Sequence, residues 1–106
     1  MDPEFDELKR EFLAEARLKV LDIREAISSG TPQSLERVSY LAHQLKGSGG
    51  SYGYQTISQE AAELERVIEK LAGSETAPVD QLDKHAQNLG AEIDARSREL
   101  EIKPAV

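Results

Sequence analysis

The apolar residues of this chain recur every three or four positions along most of its 106 residues. That is the period of an α-helix with one apolar face, and no segment keeps the two-residue alternation of a β-strand. Glycine or proline interrupts the pattern at Gly30, at Thr31-Pro32, at Gly53, at Gly73 and at Pro78. Because these residues typically end or restart helices, the sequence predicts four helices, over residues 5–28, 31–51, 57–73 and 78–100.

Each predicted helix has one apolar stripe, which is what a helix needs to pack against a shared core. The predicted core positions are Leu8, Phe12, Ala16, Val20, Ile23, Ile27, Leu35, Val38, Ala42, Leu45, Ile57, Ala61, Leu64, Ile68, Leu71, Leu82, Ala86, Leu89, Ile93 and Leu100. Helices of this length with short loops pack as an antiparallel up-down bundle. We therefore predict an all-α four-helix bundle formed by a single domain over residues 6–103. Residues 1–5 resemble an expression-tag remnant, and Tyr52 and Tyr54 are expected where the second helix meets the third.

The composition narrows the classes of function. The chain has no cysteine, which excludes disulfides, thiol catalysis and thiolate metal sites. Its net charge of −7 argues against a nucleic-acid partner and against binding to an anionic membrane surface. No apolar run approaches the roughly 18 residues of a membrane span, and no signal peptide opens the chain. We therefore expect a cytoplasmic protein. We also expect a monomer, because no second apolar stripe lies outside the predicted core faces.

Glycines surround one histidine of the second predicted helix. Gly47, Gly49 and Gly50 follow His43 closely, although each glycine inside a helix costs roughly 1 kcal/mol relative to alanine. At about 100° per residue, His43 points away from the core stripe, and Ser39, Gly47 and Gly50 share its face. Gly49 falls on the core side, where it permits close helix packing. The pattern predicts an exposed imidazole whose surroundings are free of large side chains.

An exposed imidazole of this kind suits phosphoryl chemistry. Its ring nitrogens are nucleophilic near neutral pH, because a free histidine side chain has a pKa of about 6.5. Lys46 lies three residues beyond His43, within reach of any group attached to the ring, and its charge can offset that of a phosphoryl group. An ordinary surface histidine is the alternative, but it would need neither the glycines nor the lysine.

Residues 42–54 have the order Ala-His-Gln-Leu-Lys-Gly-Ser-Gly-Gly-Ser-Tyr-Gly-Tyr, which resembles the signature of histidine-containing phosphotransfer (HPt) domains. Residues 12–16 resemble the opening of the first helix in that family, and Leu64-Glu65 falls at the expected place in the third. The resemblance implies a four-helix bundle that moves a phosphoryl group between a histidine and an aspartate of a response-regulator receiver domain.

The resemblance also implies roles for single residues. His43 is expected to carry the phosphoryl group on Nε2, Lys46 to steady its oxygens, and Gly47 to keep the ring accessible. Glu65 matches a position whose side chain bonds the other ring nitrogen in some relatives, and others carry glutamine there. A carboxylate at that position would fix the tautomer of the ring. A surface carboxylate that serves solubility is the alternative for Glu65.

The implied partners are a receiver domain, a sensor histidine kinase, or both. The receiver is expected to contact Ser39, Gln44 and Gly50 and to supply both the aspartate and the Mg²⁺, so that this domain binds no cofactor itself. Two histidines without cysteine do not suggest a zinc site, and no nucleotide-binding fingerprint is present. The domain is therefore expected to form phosphohistidine without kinase machinery of its own.

A helical docking domain without chemistry is the alternative function. Such a domain would gain nothing from the glycines and the lysine around His43, which is why the sequence favours phosphotransfer. The second histidine, His85, has Asp83 and Lys84 as neighbours in the fourth helix. It is expected to be a solvated surface residue.

Overall fold

The computed structural model describes residues 3–71 and 78–101, and these form four α-helices. The helices are α1 (Pro3–Ser29), α2 (Pro32–Ser51), α3 (Gln55–Lys70) and α4 (Val79–Glu101). The described residues contain no β-strand, so the predicted all-α fold is confirmed. The predicted helix end at Gly73 lies outside the described residues, as does the predicted connection from Gly73 to Pro78 except for Pro78 itself. The same holds for residues 1 and 2 of the predicted tag remnant and for residues 102 and 103 of the predicted domain.

The four helices form a ring. Each packs against the next one along the chain, and α4 returns to pack against α1, whereas the diagonal pairs do not pack within the described ranges. This is the topology of an up-down bundle. The core takes one stripe from every helix, and its most enclosed large side chains are Leu13, Ile23, Ile27, Val38, Leu45, Ile57, Leu64, Leu82, Leu89 and Ile93.

The start of α2 follows from local sequence chemistry. The side chain of Thr31 accepts a hydrogen bond from the backbone N–H of Ser34 at 3.0 Å, and Pro32 occupies the first helical position. Gly30, with φ +66°, ends α1 in a left-handed conformation that glycine adopts without strain. The predicted N-cap and stop signal are both confirmed.

A second left-handed glycine turns the chain from α2 into α3. Gly53 has φ +81°, and its N–H donates to the carbonyl of Gly50 at 3.1 Å. The N–H of Tyr54 donates to the carbonyl of Gly49 at 2.8 Å. These two bonds make a Schellman motif, which satisfies the last carbonyls of α2 and brings α3 back against Gly49.

The aromatic residues of the α2–α3 turn pack against α1. The ring centroid of Tyr52 lies 5.0 Å from that of Phe12 and 5.9 Å from that of Phe5, and the Tyr54 ring stacks on Phe12 at 6.1 Å. Burial raises the pKa of the Tyr54 hydroxyl. The predicted position of both tyrosines is confirmed. Phe5, which we assigned to the tag remnant, belongs to the first turn of α1 and takes part in this stack.

Two expectations about α1 are wrong. Leu8 was predicted in the core but is 46% exposed. In this part of α1 the buried residues are Asp6, Phe12 and Leu13. At about 100° per residue, Leu8 lies outside the arc of the helix surface that these three residues span. In addition, Leu18 and Leu21 are 67% and 59% exposed and form a short apolar strip on the outside of α1, although no second apolar stripe was predicted.

Candidate functional site

His43 lies on α2 with its ring directed toward solvent, since 69% of the side chain is exposed. Gly47 follows one turn later, and a Cβ placed there would meet no atom of residues 3–71 or 78–101 within 4 Å. The surface beside the ring is therefore open. This is the exposed imidazole that the helical spacing predicted.

Glu65 of α3 lies beneath the ring and contacts two residues of α2. Its Oε2 is 3.1 Å from Nδ1 of His43, and its Oε1 is 3.2 Å from Nζ of Lys46. The Glu65 side chain is only 15% exposed, so its carboxylate is held in place by the surrounding helices. The structure thus brings three of the four predicted catalytic residues into one cluster, with Glu65 as the bridge.

The bridge fixes which ring nitrogen of His43 is free. A carboxylate only accepts hydrogen bonds, so Nδ1 carries the proton and donates it to Oε2. In the neutral ring, Nε2 then holds a lone pair. Nδ1 faces the carboxylate, and Nε2 is the ring nitrogen that does not take part in this contact.

Lys46 provides the only cation in this cluster. Its ammonium group forms an ion pair with Oε1 of Glu65 that is not aligned as a hydrogen bond, and 43% of its side chain is exposed. A lysine in this position keeps part of its mobility because it sits at the end of a flexible stem. The sequence predicted that Lys46 would lie near the ring but did not predict its ion pair with Glu65.

The three residues predicted to contact a partner lie around His43 on α2. Ser39 is half-buried, Gln44 is half-buried and Gly50 is exposed. The side-chain amide of Gln44 donates to the hydroxyl of Tyr40 at 3.0 Å. Tyr40 is 60% exposed and was missed by the sequence analysis, although its place three residues before His43 was a usable signal.

His85 is not the solvated residue that the sequence predicted. Only 21% of its side chain is exposed, and its Nδ1 donates to Oε2 of Glu60 on α3 at 2.6 Å. Asn88 donates to the other oxygen of Glu60 at 3.2 Å. The packing of α4 against α3 explains the error, because it covers this face of α4 and supplies a partner 25 residues away.

Among residues 3–71 and 78–101, no three His, Cys, Asp or Glu side chains are arranged to hold a metal ion. No helix in these ranges has the length and apolar content to cross a membrane.

The fold and the site describe a four-helix bundle that presents one oriented histidine to solvent. A family model described as the Hpt domain matches residues 7–100, which is most of the chain. The chain belongs to the Hpt domain family, whose members transfer phosphoryl groups through histidine in phosphorelays and interact with response regulators or kinases. Searches among curated proteins and among solved structures found no significant match.

Proposed function

We propose that His43 exchanges a phosphoryl group with an aspartate of a receiver domain. The Nε2 lone pair attacks the phosphorus atom of the aspartyl phosphate, so an N–P bond forms. The O–P bond breaks, and its electron pair leaves with the aspartate carboxylate. Nδ1 keeps its proton throughout, and the reverse transfer follows the same path.

The observation that carries this proposal is the position of Glu65 between Nδ1 of His43 and Nζ of Lys46. A nucleophilic ring needs one nitrogen free and the other held, and this contact supports that arrangement. A surface histidine with no chemical role would need no half-buried carboxylate beside its Nδ1.

The neighbouring residues take the roles that the family resemblance implies. Lys46 moves from Glu65 toward the phosphoryl oxygens once Nε2 carries them, because the ammonium group offsets the charge that has arrived. Gly47 leaves space for the partner's active site to close over the ring. Ser39, Gln44 and Gly50 form the rim of the surface that the receiver contacts. The receiver supplies the aspartate and Mg²⁺, which screens the charge of the phosphoryl group.

Labelling of the two histidines tests the proposal. The domain is incubated with a receiver that carries a radiolabelled phosphoryl group, in parallel with His43→Gln and His85→Gln. We expect acid-labile, alkali-stable label on the parent and on His85→Gln, and none on His43→Gln. Equal labelling of the parent and His43→Gln would overturn the proposal. A docking domain without chemistry would bind the receiver but acquire no label in any variant.

Removal of the Lys46 charge tests whether Lys46 stabilises the phosphoryl oxygens. We expect Lys46→Ala to slow transfer about tenfold, because a charge-assisted hydrogen bond contributes about 1.5–3 kcal/mol. Rapid-quench transfer from the labelled receiver measures the rate, and circular dichroism confirms the helix content. Lys84→Ala, which removes an exposed lysine from α4, is the control. Parent-like rates for Lys46→Ala would remove Lys46 from the mechanism.

A further inference from the structure

Helices α2 and α3 lie close together at Gly49, on the side of α2 that faces the core. A Cβ added to this glycine would lie 3.1 Å from Cγ2 of Ile57 and 3.3 Å from the backbone nitrogen of Ser58. Both distances are tighter than ordinary contacts, and the second involves backbone that cannot rotate away. A side chain at position 49 would therefore push the two helices apart.

Ser58 also joins the two helices by a hydrogen bond. Its hydroxyl donates to the backbone carbonyl of Lys46 at 2.9 Å, in a half-buried environment. Lys46 is the same residue whose ammonium group contacts Glu65. The hydrogen bond thus fixes α3 against the segment of α2 that carries the candidate site.

Ser58 and Glu65 lie on one face of α3. They are seven residues apart, and seven residues complete two turns to within about 20°. A shift of α3 at Ser58 therefore moves the Glu65 carboxylate relative to α2 by a similar amount. Oε2 of Glu65 lies 3.1 Å from Nδ1 of His43, so a shift of about 1 Å would exceed hydrogen-bond range.

We propose that Gly49 and Ser58 are positioning residues, which hold α3 close enough for Glu65 to keep the His43 proton on Nδ1. Neither residue touches the phosphoryl group. They act through the spacing of the helices, and by this route they set which ring nitrogen is free. The consequence for phosphoryl transfer rests on the function proposed above, whereas the consequence for the ring tautomer does not.

The tautomer of His43 is read by ¹⁵N NMR of the ring nitrogens in the intact domain, at a pH where the ring is neutral. We expect the parent to show protonated Nδ1. Gly49→Ala and Ser58→Ala should shift the proton toward Nε2, as should the reference variant Glu65→Ala. Ser58→Thr, which keeps the hydroxyl, should retain the parent tautomer.

Gly90→Ala is the matched control for Gly49→Ala. Gly90 also lies inside a helix, but a Cβ there would meet Cγ1 of Val20 at 3.7 Å, an ordinary contact. The Gly90→Ala variant should therefore leave the tautomer of His43 unchanged. If His43 accepts the phosphoryl group, we expect Gly49→Ala and Ser58→Ala to slow phosphoryl transfer about tenfold or more. Gly90→Ala should leave the rate of transfer unchanged.

The parent tautomer in folded Ser58→Ala and folded Gly49→Ala would overturn the inference. If Gly49→Ala fails to fold by circular dichroism, Ser58→Ala decides alone, because it removes one hydroxyl and creates no clash. A shifted tautomer in a domain that never takes label on His43 would uphold the positioning role and overturn only the proposed function.

Discussion

Among single residues, Gly47 is unfavourable for the stability of α2 but leaves space beside the His43 ring. It lies inside α2, where glycine is a poor helix former, and none of the described residues would obstruct a methyl group there. The glycine is therefore not required by packing, unlike Gly49, whose Cβ would meet α3. Its place one turn after His43 gives it a purpose only if another molecule approaches the ring.

We predict that Gly47→Ala stabilises the domain by about 0.5–1 kcal/mol, because alanine has the higher helix propensity and meets no clash. The same change should slow phosphoryl transfer, since the methyl group narrows access to the ring. Urea unfolding measures the first effect and rapid-quench transfer the second. Unchanged transfer in the more stable variant would show that Gly47 does not serve access.

Sequence reasoning succeeded for residues whose environment is set within one or two helical turns. Thr31 and Pro32 begin α2 for local reasons, and the exposure of His43 follows from its angle on the helix. The ion pair between Lys46 and Glu65 joins residues 19 positions apart, and it depends on how two helices pack. No local pattern contains that information, and the link between Glu65 and His43 was available only through the family resemblance.

At the scale of the element, His85 connects α4 to α3 through Glu60. Both side chains are 21% exposed, and the hydrogen bond between them is 2.6 Å long. Removal of the imidazole leaves a half-buried carboxylate with only Asn88 as its hydrogen-bond donor among the contacts described above. A deleted partner of a buried polar group costs more than the bond itself contributes.

We therefore predict that His85→Ala lowers the free energy of unfolding by about 1–2 kcal/mol. Gln87→Ala, which removes an exposed side chain from the same part of α4, is the matched variant and should cost much less. Urea denaturation of both variants at neutral pH measures the difference. Equal losses would show that the contact between His85 and Glu60 does not brace the helices.

The contact of α1 with α2 includes a pair that should respond to acid. The Arg37 guanidinium donates to both carboxylate oxygens of Asp22, with its Nε 3.0 Å and 3.1 Å away. This hydrogen bonding, helped by the charge of Arg37 and opposed by burial, holds the pKa of Asp22 below its usual 3.8. A lowered pKa in the folded state means that the stabilisation is complete above pH 3.8 and is lost as the pH falls through the lower value.

A double-mutant cycle with Asp22→Asn and Arg37→Gln should show a stabilising coupling at about pH 6 that declines toward about pH 2. Unfolding by urea at each pH measures the coupling. The coupling should be small, because the pair is largely exposed to solvent and is screened. A coupling that stays constant over this range would show that titration of Asp22 does not govern it.

For the fold as a whole, the sequence correctly predicted the bundle but not the burial of every residue. One stripe per helix was enough to predict the closed bundle, because α4 must return to α1 to complete the core. Periodicity could not show how much of the surface of α1 is covered at each turn. Leu8 was therefore placed in the core, although the buried residues in that part of α1 are Asp6, Phe12 and Leu13 and Leu8 is exposed.

The exposed strip of Leu18 and Leu21 bears on the state of assembly. A stable interface buries about 800 Å² per partner, and two leucines with their neighbours fall well short of that. We predict a monomer, which sedimentation equilibrium over a range of concentrations measures. A dimer that Leu18→Glu dissociates would contradict this and would identify the strip as its interface.

The distribution of tyrosines gives the domain an optical property. The chain has three tyrosines and no tryptophan, so its near-ultraviolet emission comes from tyrosine alone. Tyr52 and Tyr54 are half-buried against Phe12, whereas Tyr40 is exposed one turn from His43 and shares a hydrogen bond with Gln44. A molecule that settles over His43 changes the solvent around one fluorophore and leaves the other two in place. Tyr40 is therefore an intrinsic fluorescent probe of partner binding at His43. A titration with a partner that lacks tyrosine and tryptophan fluorescence can be followed without any attached dye.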